Sequence, residues 1–177
     1  VAGGYGESMP LLVLARHAHT IPAAEAGTDD FDRPLSDAGQ AQARRMGEHL
    51  ASLSPAIDTV IASSAVRTVA TAEAITSGLG AAPAAVVKDP SLYSGWVDAW
   101  ADAMAAIPAD AAGAVIVGHE PTVSGVVAHV TDGGASGQVP RFPPSSIAVF
   151  RLESWDDLNA PHVAGAARPE LIRHFKE

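Results

Sequence analysis

The chain has 177 residues, a formal net charge of −9 and a hydrophobic fraction of 47%, which suits one compact domain with a full core and excludes a largely disordered chain. The acidic balance argues against non-specific DNA or RNA binding, which needs a basic surface to displace counterions, and without cysteine there is no disulfide, thiolate chemistry or cysteine-type zinc site. No apolar run approaches the ~20 residues of a membrane span, and residues 1–10 have no apolar segment of the signal-peptide kind, so no membrane association and a cytoplasmic location are expected.

Residues 1–8 read as a flexible, glycine-rich leader, and residues 9–177 as a single domain. The first strand is the apolar run at residues 11–15, which stops at Arg16-His17-Ala18-His19-Thr20. Residues 21–33, with Pro22, Gly27, Asp29, Asp30 and Asp32, read as a loop over the strand end. Ser36 is a helix N-cap, and Ala41, Met46 and Leu50 give the helix over residues 37–53 an apolar stripe, with Arg44, Arg45 and Glu48 facing water. A second strand at residues 57–62 ends in Ser63-Ser64, followed by a helix over 65–77 that Gly78 and Gly80 stop.

Residues 84–87 predict a short third strand, broken by Asp89-Pro90. The alanine-rich stretch 96–107 predicts a helix, with Trp96 and Trp100 sharing a core face at i, i+4 spacing. The next strand, 114–117, runs into Gly118-His119-Glu120, and a helix follows over 121–130, then a turn-rich loop over 131–137. Residues 146–152 alternate like a strand, 159–170 carry little pattern, and 171–177 read as a final strand or loop. Strands alternating with helices predict a three-layer α/β/α sandwich around a mostly parallel sheet.

Two strands therefore end in a histidine, and ligands of open α/β sheets bind outside the carboxyl ends of the strands. A neutral imidazole at His17 is a usable nucleophile towards phosphorus. The forked guanidiniums of Arg16 and Arg67 suit the oxygens of a phosphoryl group. His119 supplies a further donor, Arg33 a possible fourth contact, and the start of the Arg67 helix free backbone N–H groups. His49, His129, His162 and His174 have no partner pattern and read as structural or surface residues.

These segments resemble a known family. Arg16-His17-Ala18-His19-Thr20 is similar to the Arg-His-Gly signature of the histidine phosphatase (phosphoglycerate-mutase-like) superfamily. The run from Ser63 to Glu73 resembles its Ser-x-x-x-Arg-x-x-x-Thr-Ala helix, and Gly118-His119-Glu120-Pro121 its late Gly-His-x-Pro. Asp30-Phe31-Asp32-Arg33-Pro34-Leu35 and Phe142-Pro143-Pro144-Ser145-Ser146, with Trp155, look like the SixA-type phosphohistidine phosphatase branch. The resemblance implies a phosphatase whose phosphoryl acceptor is His17. It implies that Arg16, Arg67 and His119 bind the phosphoryl group, joined by Arg33 and by the Thr20 hydroxyl. No cofactor and no metal are implied. The expected substrate is a phosphorylated protein or a small phosphorylated molecule.

The glutamate that larger members carry after a Pro-x-Leu segment is missing from Pro90-Ser91-Leu92-Tyr93-Ser94-Gly95. The general acid is thus Asp30, Asp32, Glu120 or none of them. The short loop after the first strand leaves little room for a lid, which suits a protein side chain as substrate. Two rival readings remain at this point. A metal-dependent hydrolase would use His17-x-His19 with His119 and an aspartate, although Arg16 and Arg67 would repel the cation. A non-catalytic phosphate-binding module would use the same pocket without turnover.

Overall fold

The computed structural model describes residues 9–80, 85–138, 140–158 and 163–176. The expected leader at residues 1–8, together with Ala84 and His162, lies outside the described residues. The chain order is β1 (Leu11–Arg16), α1 (Ala23–Ala26), α2 (Asp37–Ala51), β2 (Thr59–Ser63), α3 (Val66–Leu79), β3 (Val87–Asp89) and α4 (Ser91–Ser94). Then come α5 (Val97–Ala105), β4 (Gly113–Gly118), α6 (Thr122–Asp132), β5 (Ser146–Arg151), a 3₁₀ turn (Trp155–Leu158) and β6 (Pro169–His174).

The six strands form one sheet in the order β3-β2-β4-β1-β5-β6. The first four are mutually parallel, and β5 and β6 complete the sheet antiparallel to their neighbours. Helices cover both faces, which is why β1 and β4 are apolar at nearly every position instead of alternating. Leu12 and Leu14 of β1 join Trp100, Met104, Val123 and Val127 on one side. Leu11, Val13 and Ala15 join Met46, Leu50 and Ile75 on the other. The sheet is thus mixed but mostly parallel, as the pattern of elements predicts.

Register then sets the site. Arg16 lies opposite Gly118, and Ala62 opposite Val117, so the carboxyl ends of β1, β2 and β4 are level. His17, Ser63 and His119 consequently share one edge of the sheet. Gly118 has a packing requirement of its own: a Cβ there would fall 2.2 Å from the indole of Trp100, which is fully buried.

Several boundaries differ from the sequence expectation. The second strand begins at Thr59, because Asp58 turns its carboxylate to the Ala112 amide (2.8 Å) before the ladder starts. The third runs Val87–Asp89, and the Asp89 carboxylate accepts from Ser91 N (2.9 Å) at the turn that follows. Trp96 does not share a core face with Trp100. The helix begins only at Val97, and Trp96 sits at its cap, 64% exposed. The last strand starts at Pro169, with Phe175 buried just after it.

Candidate active site

His17 is held by main-chain bonds on both sides. Its N–H continues the β1–β4 ladder to the Gly118 carbonyl (3.0 Å), and its own carbonyl accepts from Ser145 N (3.0 Å). Its ring is buried, and Nδ1 lies 2.8 Å from the Ala18 carbonyl. A carbonyl can only accept, so Nδ1 carries the proton and the neutral ring presents its lone pair at Nε2. Burial, followed by the charges of Arg67 and Arg16 and the nearby His119, pushes the His17 pKa down to about 3 against the backbone bond to Ala18. The ring is therefore neutral at pH 7.

His119 faces it, with ring centroids 5.5 Å apart. Burial and then Arg67 lower its pKa to about 4. Its Nε2 lies 2.8 Å from the hydroxyl of Ser63, which is fully buried at the end of β2. If that hydroxyl donates to Nε2, the proton of the neutral His119 ring is on Nδ1, a buried atom with no protein partner among the described residues. Replacing Ser63 with alanine is then expected to lower kcat roughly tenfold, the worth of one hydrogen bond. KM should stay within about twofold, because the donor is misaligned while the cationic pocket is intact. Steady-state kinetics tests this split, and a tenfold rise in KM at unchanged kcat would place Ser63 in substrate binding instead.

The arginines converge from three elements. Arg16 ends β1 and donates to the Phe142 carbonyl (2.9 Å). Arg67 lies in the first turn of α3, with its side chain only 5% exposed. Arg33 arrives from the loop before α2, three-quarters buried. Among the described residues, the Nε atoms of Arg16, Arg33 and Arg67, like His119 Nδ1, are buried without a protein partner. Unpaired donors of this kind around one imidazole suit an oxyanion, since each satisfies an oxygen and none repels it.

One carboxylate already occupies part of this cationic set. Asp30 pairs with Arg67 Nη2 (2.8 Å) and Arg33 Nη2 (3.3 Å), and its main-chain carbonyl accepts from Arg67 Nη1. Tyr93 donates its hydroxyl to the same carboxylate (3.3 Å). Partial burial raises the Asp30 pKa, but Arg67, Arg33 and Tyr93 outweigh it, so the carboxyl is held below its usual range. In this arrangement Asp30 is an anion at neutral pH and has no proton to give. Glu120 is engaged elsewhere as well, accepting from Ser124 N (3.1 Å) and Ser124 Oγ (2.6 Å) in the first turn of α6. Asp32 is exposed.

The remaining expected residues fall less centrally. Thr20 pairs with Leu35 through an isolated β-bridge, and among the described residues no hydrogen bond ties its hydroxyl to the cationic cluster. The start of α3 offers less than expected, because Val66 N already donates to the Phe31 carbonyl (3.0 Å). His19 is exposed and bonds through Nδ1 to Ser36 Oγ (3.0 Å), so it does not join His17 as a ligand pair. Among the described residues no group of three or more histidine, aspartate or glutamate side chains is arranged to hold a metal ion.

Residues 12–93 match the family model of the histidine phosphatase superfamily (branch 1). An uncharacterised protein of Mycobacterium tuberculosis is 31% identical over 156 residues, covering 79% of this chain and 90% of the relative. This chain belongs to the histidine phosphatase superfamily. Among solved structures, a SixA from Nakamurella multipartitia, for which phosphohistidine phosphatase activity is proposed, superposes with a TM-score of 0.76 at 30% identity. The match covers 95% of this chain and 97% of that one. The protein histidine phosphatase SixA, complexed with tungstate, shares the fold at a TM-score of 0.75 and 23% identity, over 93% and 96% of the two chains. This histidine phosphatase falls with the SixA-type branch.

Three supporting residues are given no role by the sequence reading, although Thr71 and Ser145 lie within its motif segments. Gln42, buried on the inner face of α2, accepts from His19 N (3.3 Å) and from Ser145 Oγ (2.7 Å). Thr71 accepts from Ala18 N (3.0 Å) and donates to the Arg67 carbonyl (2.6 Å), tying the His17 segment to α3. Ser145 adopts φ 63° to reach both His17 and Gln42. The motif positions of Thr71 and Ser145, and a glutamine in the helix stripe of Met46 and Leu50, are the signals the sequence carries for these residues. Among the described residues no helix is long and apolar enough to cross a membrane.

Proposed function

We propose that this histidine phosphatase hydrolyses phosphoryl groups through a phosphohistidine on His17, and that its substrate is a phosphohistidine protein or a small phosphomonoester. The observation that carries this reading is the orientation of His17. Its Nδ1–H is committed to the Ala18 carbonyl, which leaves Nε2 unprotonated on a ring that feels Arg67, His119 and Arg16.

In the first step Nε2 of His17 attacks phosphorus and forms an N–P bond, while the bond to the leaving group breaks in line. The leaving nitrogen or oxygen takes its proton from solvent. In the second step water attacks the phosphohistidine, the N–P bond breaks, and inorganic phosphate departs with the proton balance restored through solvent. The three guanidinium groups and His119 Nδ1–H stabilise charge on the equatorial oxygens in both steps. Positioning and electrostatics supply the catalysis, and no step requires a metal. Asp30 gives up part of its pairing with Arg67 and Arg33 when the phosphoryl oxygens arrive.

A phosphoramidate expels its nitrogen leaving group more readily than a phosphomonoester expels an alkoxide. The commitment of Asp30 and Glu120 to other partners therefore favours phosphohistidine as substrate. A shallow groove of about 480 Å³, lined by Arg16, Glu120, Ser124, Arg141 and Phe142, leads from the site and gives room for a protein loop. The test is a rapid quench with labelled substrate in excess chelator. It should trap an acid-labile, base-stable phosphoenzyme, with faster turnover of a phosphohistidine protein than of a phosphoserine peptide. Binding of phosphate with no labelled enzyme and no turnover would instead support the binding-module reading.

A further inference from the structure

Two partly exposed aromatic rings continue the site outward from His119. Tyr93 stands edge-on to His119, with centroids 5.5 Å apart and planes at 84°. Phe31 stands edge-on to Tyr93 at 5.0 Å and 82°. Tyr93 is 37% exposed and Phe31 38%, so each leaves more than a third of its surface open to solvent beside the site. The Tyr93 ring is anchored through its hydroxyl to Asp30, and the Phe31 main chain is fixed by its carbonyl accepting the first N–H of α3.

We infer that Tyr93 and Phe31 form a subsite for a flat, aromatic leaving group on the phosphorus. This rests on the phosphatase reading above and specifies the kind of substrate its site prefers. The geometry follows from the direction of transfer. With His17 Nε2 at one apex and the guanidiniums around the equator, the leaving group departs from the opposite apex, away from His17. His119 touches the phosphoryl oxygens, and Tyr93 is its immediate neighbour, so a ring attached to phosphorus comes within reach of the Tyr93–Phe31 pair. Edge-to-face rings at 5.0 and 5.5 Å leave part of each surface open to a third ring, an arrangement aromatic groups favour. An imidazole, a phenol or an indole fits this description, and a short alkyl group does not exploit it. The Tyr93 hydroxyl, by holding Asp30, also links recognition of the ring to the carboxylate that shares Arg67 with the phosphoryl group.

The experiment compares two non-hydrolysable ligands, phenylphosphonate and methylphosphonate, by calorimetry on the full chain. The wild type is expected to bind phenylphosphonate about tenfold more tightly, the scale of one aromatic contact with its buried area. The Phe31→Ala/Tyr93→Ala double variant should lose that preference to within about twofold, read as the ratio of the two affinities, with Tyr93→Phe measuring how far release of Asp30 alone shifts methylphosphonate binding. Tyr93→Phe should retain the preference, because the ring and not the hydroxyl makes the contact. Equal weakening of both ligands in the double variant would make the pair a structural support and overturn the subsite. So would the absence of any phenyl preference in the wild type, or failure of both phosphonates to bind. Phosphoramidate hydrolysis by the wild type, measured alongside, reports on the phosphatase reading alone.

Discussion

Substituting asparagine for His17 should abolish turnover, by roughly four to six orders of magnitude as for the loss of other catalytic nucleophiles. The same variant should become relatively more stable as the solution is acidified. In the folded protein the His17 pKa is pushed down to about 3, against 6.5 for an ordinary histidine. Between those values the unfolded chain binds a proton that the folded chain does not. His17 therefore weakens the wild type progressively as pH falls from 6.5 towards 3, with a limiting slope of about 1.4 kcal/mol per pH unit. His119 acts in the same sense but is present in both proteins. Melting temperatures measured from pH 7.5 to 4.5 should diverge below pH 6.5 in favour of the asparagine variant. Parallel curves would mean that the ring is not held neutral by its surroundings, and the nucleophile assignment would lose its electrostatic basis.

Arg67→Ala should give the second largest loss, roughly 10²–10³ in kcat, the magnitude seen when one preorganised donor to a developing oxyanion is removed. Arg67→Lys should recover little of it. A lysine restores the charge but has one nitrogen, whereas Arg67 spans the Asp30 carbonyl and carboxylate with two and still has a buried Nε without a partner. Vanadate affinity should fall in both variants while circular dichroism stays unchanged. If lysine restored full activity, the requirement would be for charge alone, and the forked geometry would be irrelevant.

Much of the fold was legible because two-sided burial writes itself directly into β1 and β4 as unbroken apolar runs. The convergence of Arg16, His17 and His119 was legible because a strand end fixes a residue with little freedom, and the sheet register places these three. Less legible were groups whose role depends on contacts distant in sequence. Asp30 looks like one more loop carboxylate until α3 brings Arg67 to it, 37 residues on. Tyr93 sits in a one-turn helix too short to produce a periodic signal, and its place beside His119 comes from the packing of α4 on β2. Trp96 misled for a related reason, since i, i+4 spacing places two side chains on one face only when both belong to the helix.

The contact between α2 and α3 has a bearing on how such a protein can change over generations. The two backbones cross at Gly47 and Gly78, where an added Cβ would lie 2.1 Å from the Ile75 carbonyl oxygen and 2.4 Å from that of Arg44. With main chain resting on main chain at these two points, exchanging side chains there does little to reposition α3 and Arg67. Mutational drift is thereby steered away from the proposed phosphoryl-binding floor and towards the rim, where Phe31 and Tyr93 can be exchanged one at a time. New substrates for this scaffold would be acquired by redecorating that rim while the floor stays as it is.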